Sequence, residues 1–223
     1  MSKRAVSENQ SHFNVETAHT YDEHPLHIEM ARRIAKALVD AYPWDEEGTT
    51  VLDYACGTGL NSRQILPYVM SITGVDISQA MVDKYNDRAD KQGISPAEMK
   101  AICIDLEGKP GELGDSEFDV AVCCMSYHHF VNPAQITKTL AYFLKPGGYL
   151  FVADIESTPD RDEIIPESSN HVVVHKYGFS REEIQSFFDN ANLGSFQFSC
   201  ATRAQKNGRD INVFLAQGIK VTA

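Results

Sequence analysis

In "VLDYACGTGL" (Val51–Leu60) an aspartate ends an apolar run and two glycines follow at once, which makes Asp53, Gly57 and Gly59 the first residues to weigh for chemistry. Glycine tolerates positive φ and lets a ligand lie against main chain with no Cβ in the way. A second aspartate, Asp76, closes the run "ITGVD", where a carboxylate can accept hydrogen bonds from ribose hydroxyls. A third stretch, "CCMSYHHF", sets Cys124 and Met125 at the end of another apolar run, with His128 and His129 just behind. Histidine titrates near neutrality and suits proton transfer. If this stretch is extended, consecutive side chains point to opposite sides, so at most one histidine faces a ligand.

Two ligand classes fit a glycine turn followed by a strand-end aspartate. A dinucleotide wants a third glycine three residues after the second, where this chain has Ser62. It also rests its pyrophosphate on helix amides, and the Asp53 carboxylate opposes that charge. A sulfonium nucleoside such as S-adenosylmethionine carries no phosphate, and acidic groups around the turn favour its net cation. The residues favour the sulfonium nucleoside.

The elements that must position these groups alternate. After a helix from about Leu26 to Tyr42, the runs "TVLDYA", "ITGVD", "EMKAICIDL", "FDVAVCCMS" and "YLFVADI" read as strands. Helices lie between them: "NSRQILPYV", "SQAMVDKYNDRADKQG" with Ser78 as N-cap, and "NPAQITKTLAYFL" with Pro133 in its first turn. "SREEIQSFFDNAN" carries a capping box of Ser180 and Glu183, and "SFQFSCA" and "INVFLAQG" close the chain as strands. Continuous apolar strands alternating with helices predict one Rossmann-like, doubly wound α/β domain spanning residues 1–223. Its sheet has seven strands, mostly parallel, with an antiparallel C-terminal hairpin strand. Residues 1–24 are polar and aperiodic and are expected to form a mobile lid; residues 154–179 form an insertion on the substrate side.

Acidic side chains outnumber basic ones 31 to 20, for a formal net charge of −11, and no basic run appears, which argues against a nucleic-acid partner. No stretch has the roughly 20 apolar residues of a membrane span, and the N-terminal stretch does not read as a secretory signal. The five cysteines form no CxxC pair, so reduced thiols in a cytoplasmic protein are expected.

In these motifs the chain resembles class I S-adenosylmethionine-dependent methyltransferases, in particular the small-molecule branch that includes quinone-biosynthesis methylases. "VLDYACGTG", "GVDIS" with Met81, "CIDLEG", "FDVAVCCMSYHHF" and "LKPGGYLFVADI" follow one another in family order, and "FNVETAHTYDEHP" is similar to the lead-in of that branch. The resemblance runs from about Phe13 to Gln217. It implies S-adenosyl-L-methionine as cofactor and a small-molecule methyl acceptor. Asp53, Gly57 and Gly59 would bracket the methionine end and Asp76 would hold the ribose. Ile77 and Met81 would pack on the adenine, with Asp105 accepting from its amino group and Leu106 beside it. The main chain around Cys124 and Met125 would face the methionine moiety, and Tyr21 would close over it.

Methyl transfer is an in-line displacement on a carbon that the sulfonium already activates, so alignment supplies most of the acceleration. His128 and His129 are the candidate catalytic residues, as a general base or as the wall that shapes the pocket. No metal is expected: Asp154 after the fifth predicted strand has no acidic partner after the fourth. The pairs His24/His27 and His171/His175 lack third and fourth zinc ligands. The alternatives are a protein that binds S-adenosylmethionine in an interaction or regulatory role, and a nicotinamide-dependent oxidoreductase. Acceptor choice is expected to lie in residues 1–24 and in the insertion, whose acidic leading half favours a neutral or cationic acceptor over an anionic one.

Overall fold

The computed structural model describes residues 3–158, 172–206 and 209–221. Its centre is a seven-stranded sheet of order β3-β2-β1-β5-β6-β8-β7. The strands are β1 (Thr50–Tyr54), β2 (Ser71–Asp76), β3 (Met99–Cys103), β5 (Phe118–Cys124), β6 (Leu144–Ile155), β7 (Leu193–Lys206) and β8 (Arg209–Lys220). A short β4 (Glu112–Asp115), which the sequence reading did not separate, stands outside the sheet. Pairings from β3 through β6 are parallel, while β8 runs antiparallel to both β6 and β7. The expected doubly wound, Rossmann-like sheet with its C-terminal hairpin is therefore present.

Alternation along the central strands explains why both faces need cover. Leu52, Ala121, Cys123, Leu150 and Val152 pack on one face with Ile136 and Leu140 of α6 (Pro133–Tyr142) and Ile184 and Phe188 of α7 (Arg181–Asp189). Val51, Val120, Val122, Phe151 and Ala153 pack on the other with Ile34 and Leu38 of α3 (Pro25–Ala41) and Ile65 of α4 (Leu60–Ile65). Successive strand residues point to opposite faces, so apolar residues at every position demand two helical layers. The predicted caps form: Ser78 Oγ accepts from Met81 N at the start of α5 (Gln79–Lys91), and Ser180 with Glu183 makes a complete capping box on α7.

The N-terminal segment differs from its aperiodic reading. It forms α1 (Lys3–His12), α2 (Val15–Thr20) and a single 3₁₀ turn, Tyr21–Glu23. The side chain of Asn14 caps α2 by accepting from Glu16 N and Thr17 N. The periodic signal is missing because point contacts, rather than an apolar stripe, dock this segment. Gln10 Nε2 donates to Ile77 O at 2.9 Å, and Ser78 Oγ donates to Phe13 O at 2.5 Å. Asp22 accepts from Thr58 Oγ1, pairs with Arg63 at 2.7 Å and also meets Arg88.

Asp22 thus ties the segment to both α4 and α5. Asp22→Asn should cost about 1.5–3 kcal/mol of local stability, the range for hydrogen bonds to charged groups. Hydrogen exchange should then quicken roughly ten- to hundredfold across residues 7–23, with β1 and β5 unchanged; uniform exchange across the chain would contradict this anchoring.

Candidate active site

A cavity of about 580 Å³ opens where the carboxyl ends of the parallel strands meet the N-terminal segment. It lies at the reversal of strand order, with β2 on one side of β1 and β5 on the other, which is where open α/β sheets take ligands. From β1, β2 and β3 it receives Tyr54, Gly57, Asp76, Ile77, Met81 and Ile104. From the β5, β6 and β8 side it receives Cys124, Met125, His128, His129, Ile155 and Ile211, joined by Met30 and Ile34 of α3. Among the described residues, no Lys or Arg lines it.

The two glycines of the first turn do different work. Gly57 lines the cavity at φ +54°, and a Cβ there would meet nothing within 4 Å. Gly59, at φ +81°, has its missing Cβ position filled by the Tyr85 ring at 2.7 Å. Gly57 therefore opens the turn to a ligand, while Gly59 lets α4 and α5 pack. Two non-glycine residues on the wall, Ala55 (φ 56°) and Met125 (φ 54°), also hold left-handed backbone, a strain that concentrates at ligand sites.

Asp76 presents its carboxylate at the wall while accepting from Gly57 N and Ser78 N, each at 2.9 Å. Burial raises its carboxyl despite those bonds. Asp53 sits beneath the turn, 2 % exposed and outside the cavity lining, where it accepts from Ser62 Oγ. Burial, opposed by the Ser62 bond and aided by Asp76, pushes its carboxyl up to about 7. Tyr21 lines the cavity with its ring against His27 at 4.4 Å, and burial and Asp76 raise its hydroxyl. Of the predicted adenine contacts, Ile77 and Met81 line the cavity; Asp105 is exposed and Leu106 lies in the core, leaving Ile104 as the lining residue from that segment.

The histidines overturn the extended-chain premise. Tyr127–His129 is a 3₁₀ turn, so both rings line the cavity, 4.2 Å apart. His128 Nδ1 lies 2.8 and 3.1 Å from the two oxygens of Asp154, which is fully buried. Asp154 also accepts from His128 N and Ile155 N. Burial alone would raise the Asp154 carboxyl, but His128 and these bonds outweigh it and hold it below the usual range. His129 Nδ1 donates to Val172 O at 2.7 Å, and burial, with His128 beside it, pushes this ring down to about 3. His24 and His27, which sequence spacing could pair as metal ligands, have structural tasks: His24 Nδ1 caps α3, and His27 Nδ1 reaches Tyr21 O. His171 and the acidic part of the insertion, residues 159–171, lie outside the described residues.

Sequence reasoning missed Tyr54 and took Asp154 only as a possible metal ligand. Tyr54 could have been found: it follows Leu52 by two positions in β1 and so shares its face, at the end that leads into the glycine turn. Its hydroxyl is buried and, among the described residues, has no hydrogen-bond partner. An unused buried hydroxyl and a bare glycine face beside the Asp76 carboxylate fit a phosphate-free nucleoside.

The family model described as a methyltransferase domain matches residues 26–195. The chain belongs to this methyltransferase family. It is 39 % identical over 158 residues to an uncharacterised methyltransferase of Schizosaccharomyces pombe, covering 68 % of this chain and 56 % of that protein. It is 31 % identical over 109 residues to a ubiquinone biosynthesis O-methyltransferase of Coxiella burnetii, covering 49 % of this chain and 44 % of that one. The chain thus spans about half the length of these curated relatives. A geranyl diphosphate C-methyltransferase of Streptomyces coelicolor, solved with S-adenosyl-L-homocysteine, shares the fold at TM-score 0.66 and 17 % identity, covering 84 % of this chain and 77 % of that one. Methyltransferases of this class bind S-adenosylmethionine, which supplies a methyl group on a sulfonium leaving group.

The methyltransferase turn generates two predictions. Gly57→Val should abolish S-adenosylhomocysteine binding in calorimetry and lower the melting temperature only by the strain of its φ of +54°, whereas Gly59→Val should lower it further through the added Tyr85 clash; equal effects on folding would contradict the division. The raised Asp53 carboxyl favours the protonated native state, so its contribution is complete below about pH 4 and is lost as pH rises through about 7. At about 1.36 kcal/mol per pH unit the ceiling is about 4 kcal/mol. Ligand-free Asp53→Asn should therefore gain on wild type in urea unfolding between pH 5 and 8. A gap that stays constant with pH would mean Asp53 is ionised throughout.

Proposed function

We propose that the protein transfers the methyl group of S-adenosyl-L-methionine to a small, uncharged acceptor, mainly by positioning. The observation that carries this reading is the charge of the cavity: Asp76 on its wall, Asp53 beneath its turn and, among the described residues, no Lys or Arg lining it. A dinucleotide pyrophosphate has no cationic partner there, while a net-cationic, phosphate-free nucleoside does not need one. The apolar continuation past Met125 toward Ile155, Val173 and Ile211 supports an acceptor chamber beyond the nucleoside end. An anionic acceptor would enter it without a counter-charge. The open chamber also disfavours a purely regulatory binding role, in which this space would be filled.

Gly57, Asp76, Ile77, Met81, Tyr21 and the main chain around Cys124 and Met125 are proposed to surround the nucleoside and methionine moieties, with Asp53 acting on them from beneath the turn. Asp105 and Leu106 would act through the segment that carries Ile104. A metal has no part in this reading, because the Asp154 oxygens already hold His128 and two backbone amides. No helix among the described residues is long and apolar enough to cross a membrane, and all five cysteines are unpaired, which supports a reducing compartment such as the cytoplasm.

Calorimetry with S-adenosylhomocysteine and with NADH tests the central claim. Binding of the first and not the second is expected, and Asp76→Ala should lose about 2–4 kcal/mol of that binding through its charge-assisted hydrogen bonds. NADH bound and S-adenosylhomocysteine ignored would reverse the assignment.

A further inference from the structure

The two adjacent cavity histidines are held by partners of different chemistry. His129 gives its Nδ1 proton to the Val172 carbonyl, a neutral acceptor, and burial keeps this ring uncharged. His128 turns Nδ1 to a buried carboxylate whose other bonds come from backbone amides. Because those amides are donors with nothing to accept, the proton in the Asp154–His128 contact belongs on Nδ1, and the lone pair of the neutral ring falls on Nε2. Neither Nε2 has a hydrogen-bond partner among the described residues. Besides Asp154 from β6, the titratable groups around the His128 ring are His129 in the same turn and His175 from the segment after β6. Of these only Asp154 is anionic, so among the described residues it is the group that stabilises a proton arriving at His128.

We propose that His128 takes the proton of the acceptor during methyl transfer, that Asp154 is its positioning residue, and that His129, its Nδ1 proton committed to Val172 O, offers the chamber only an accepting Nε2. This rests on the methyl-transfer reading above and adds the state in which the acceptor arrives, as an uncharged hydroxyl compound. An ammonium acceptor would need a carboxylate facing the chamber; among the described residues Asp76 stands at the β2 end of the cavity and Asp154 is wholly buried behind His128. As the acceptor oxygen bonds to the methyl carbon, the carbon–sulfur bond breaks with its electron pair going to sulfur. The O–H pair stays on oxygen while the proton passes to His128 Nε2. The resulting imidazolium faces Asp154 until solvent removes the proton.

The test has one arm that needs no acceptor. In protein labelled with ¹⁵N-histidine and saturated with S-adenosylhomocysteine, the His128 signals, identified by their loss in His128→Gln, should show the Nδ1–H tautomer. In Asp154→Asn the amide NH₂ can donate to Nδ1, and the signals should switch to Nε2–H. The second arm follows labelled methyl transfer to phenols of decreasing pKa, from phenol to p-nitrophenol. Both variants should lose about 10²–10⁴ in kcat on the least acidic phenol and approach wild type on the most acidic, which ionises without help. Their affinity for S-adenosylhomocysteine should stay unchanged. An Nε2–H tautomer in wild type, or an equal loss on every phenol, would overturn the base assignment. So would wild-type protein that binds S-adenosylhomocysteine yet methylates no phenol, whereas failure to bind it at all would reject the methyl-transfer reading instead.

Discussion

Parallel pairing of β1 with β2 on one side and with β5 on the other requires each connection to cross back over the sheet. The chain consequently leaves β1, β2, β5 and β6 at the same edge, and the residues just past those strands converge. Asp76 ends β2, Met125 follows β5 and Ile155 ends β6, so one topological requirement brings together groups some 80 residues apart in sequence. The crevice exists because the strand order reverses at β1, with helices leaving toward opposite faces. The N-terminal segment and the stretch from Val172 to Phe179 only roof what the sheet has already opened.

Around that crevice three carboxylates are removed from water, and each is satisfied by a different donor set. Asp53 has one hydroxyl, Asp76 has two backbone amides, and Asp154 has an imidazole and two amides. The donors bear on the direction in which each acidity moves, up for Asp53 and Asp76 and down for Asp154. One neutral donor leaves Asp53 near 7, whereas only Asp154, with a partner that can carry positive charge, is held below the ordinary range. Asp53 and Asp76 are thus poised to gain from an incoming cation, and Asp154 is already occupied with a side chain. On the proposed function, this division would let one crevice attract a sulfonium and manage a proton without the two tasks competing.

The doubly wound sheet was legible because continuous apolar runs alternated with capped helices, signals that depend on local chemistry alone. The position of Asp76 on the cavity followed from its strand end for the same reason, while Ile77 and Met81 were reached through the family resemblance. What could not be read depended on contacts distant in sequence. Asp154 lies 26 residues from its His128 partner, and Asp22 reaches Arg63 across 41. The 3₁₀ turn at Tyr127–His129 was hidden because Ser-Tyr-His-His carries no breaker or cap, and its effect was to bring both rings to one side. The likeness of Gly57 and Gly59 was similarly deceptive, since the filling of Gly59 by Tyr85 depends on how α5 packs.

In-line displacement tolerates little misplacement, so the residues that fix the histidine turn matter as much as those that face the acceptor. Val174 N and His175 N both donate to His128 O, and the Phe13 ring meets His129 edge-on at 5.5 Å. Two segments remote in sequence therefore set the position of one turn. Behind them, Gly178 holds φ +68° with its would-be Cβ 2.5 Å from Ile155 O. Any side chain there has to displace the carbonyl of Ile155, the residue whose own N–H, one peptide unit earlier, donates to Asp154, which in turn orients His128. A position with no atom in the cavity is thereby connected, through one carbonyl and one carboxylate, to the nitrogen proposed to receive the proton. The glycine is required because the backbone must pass close to β6 to keep that connection short.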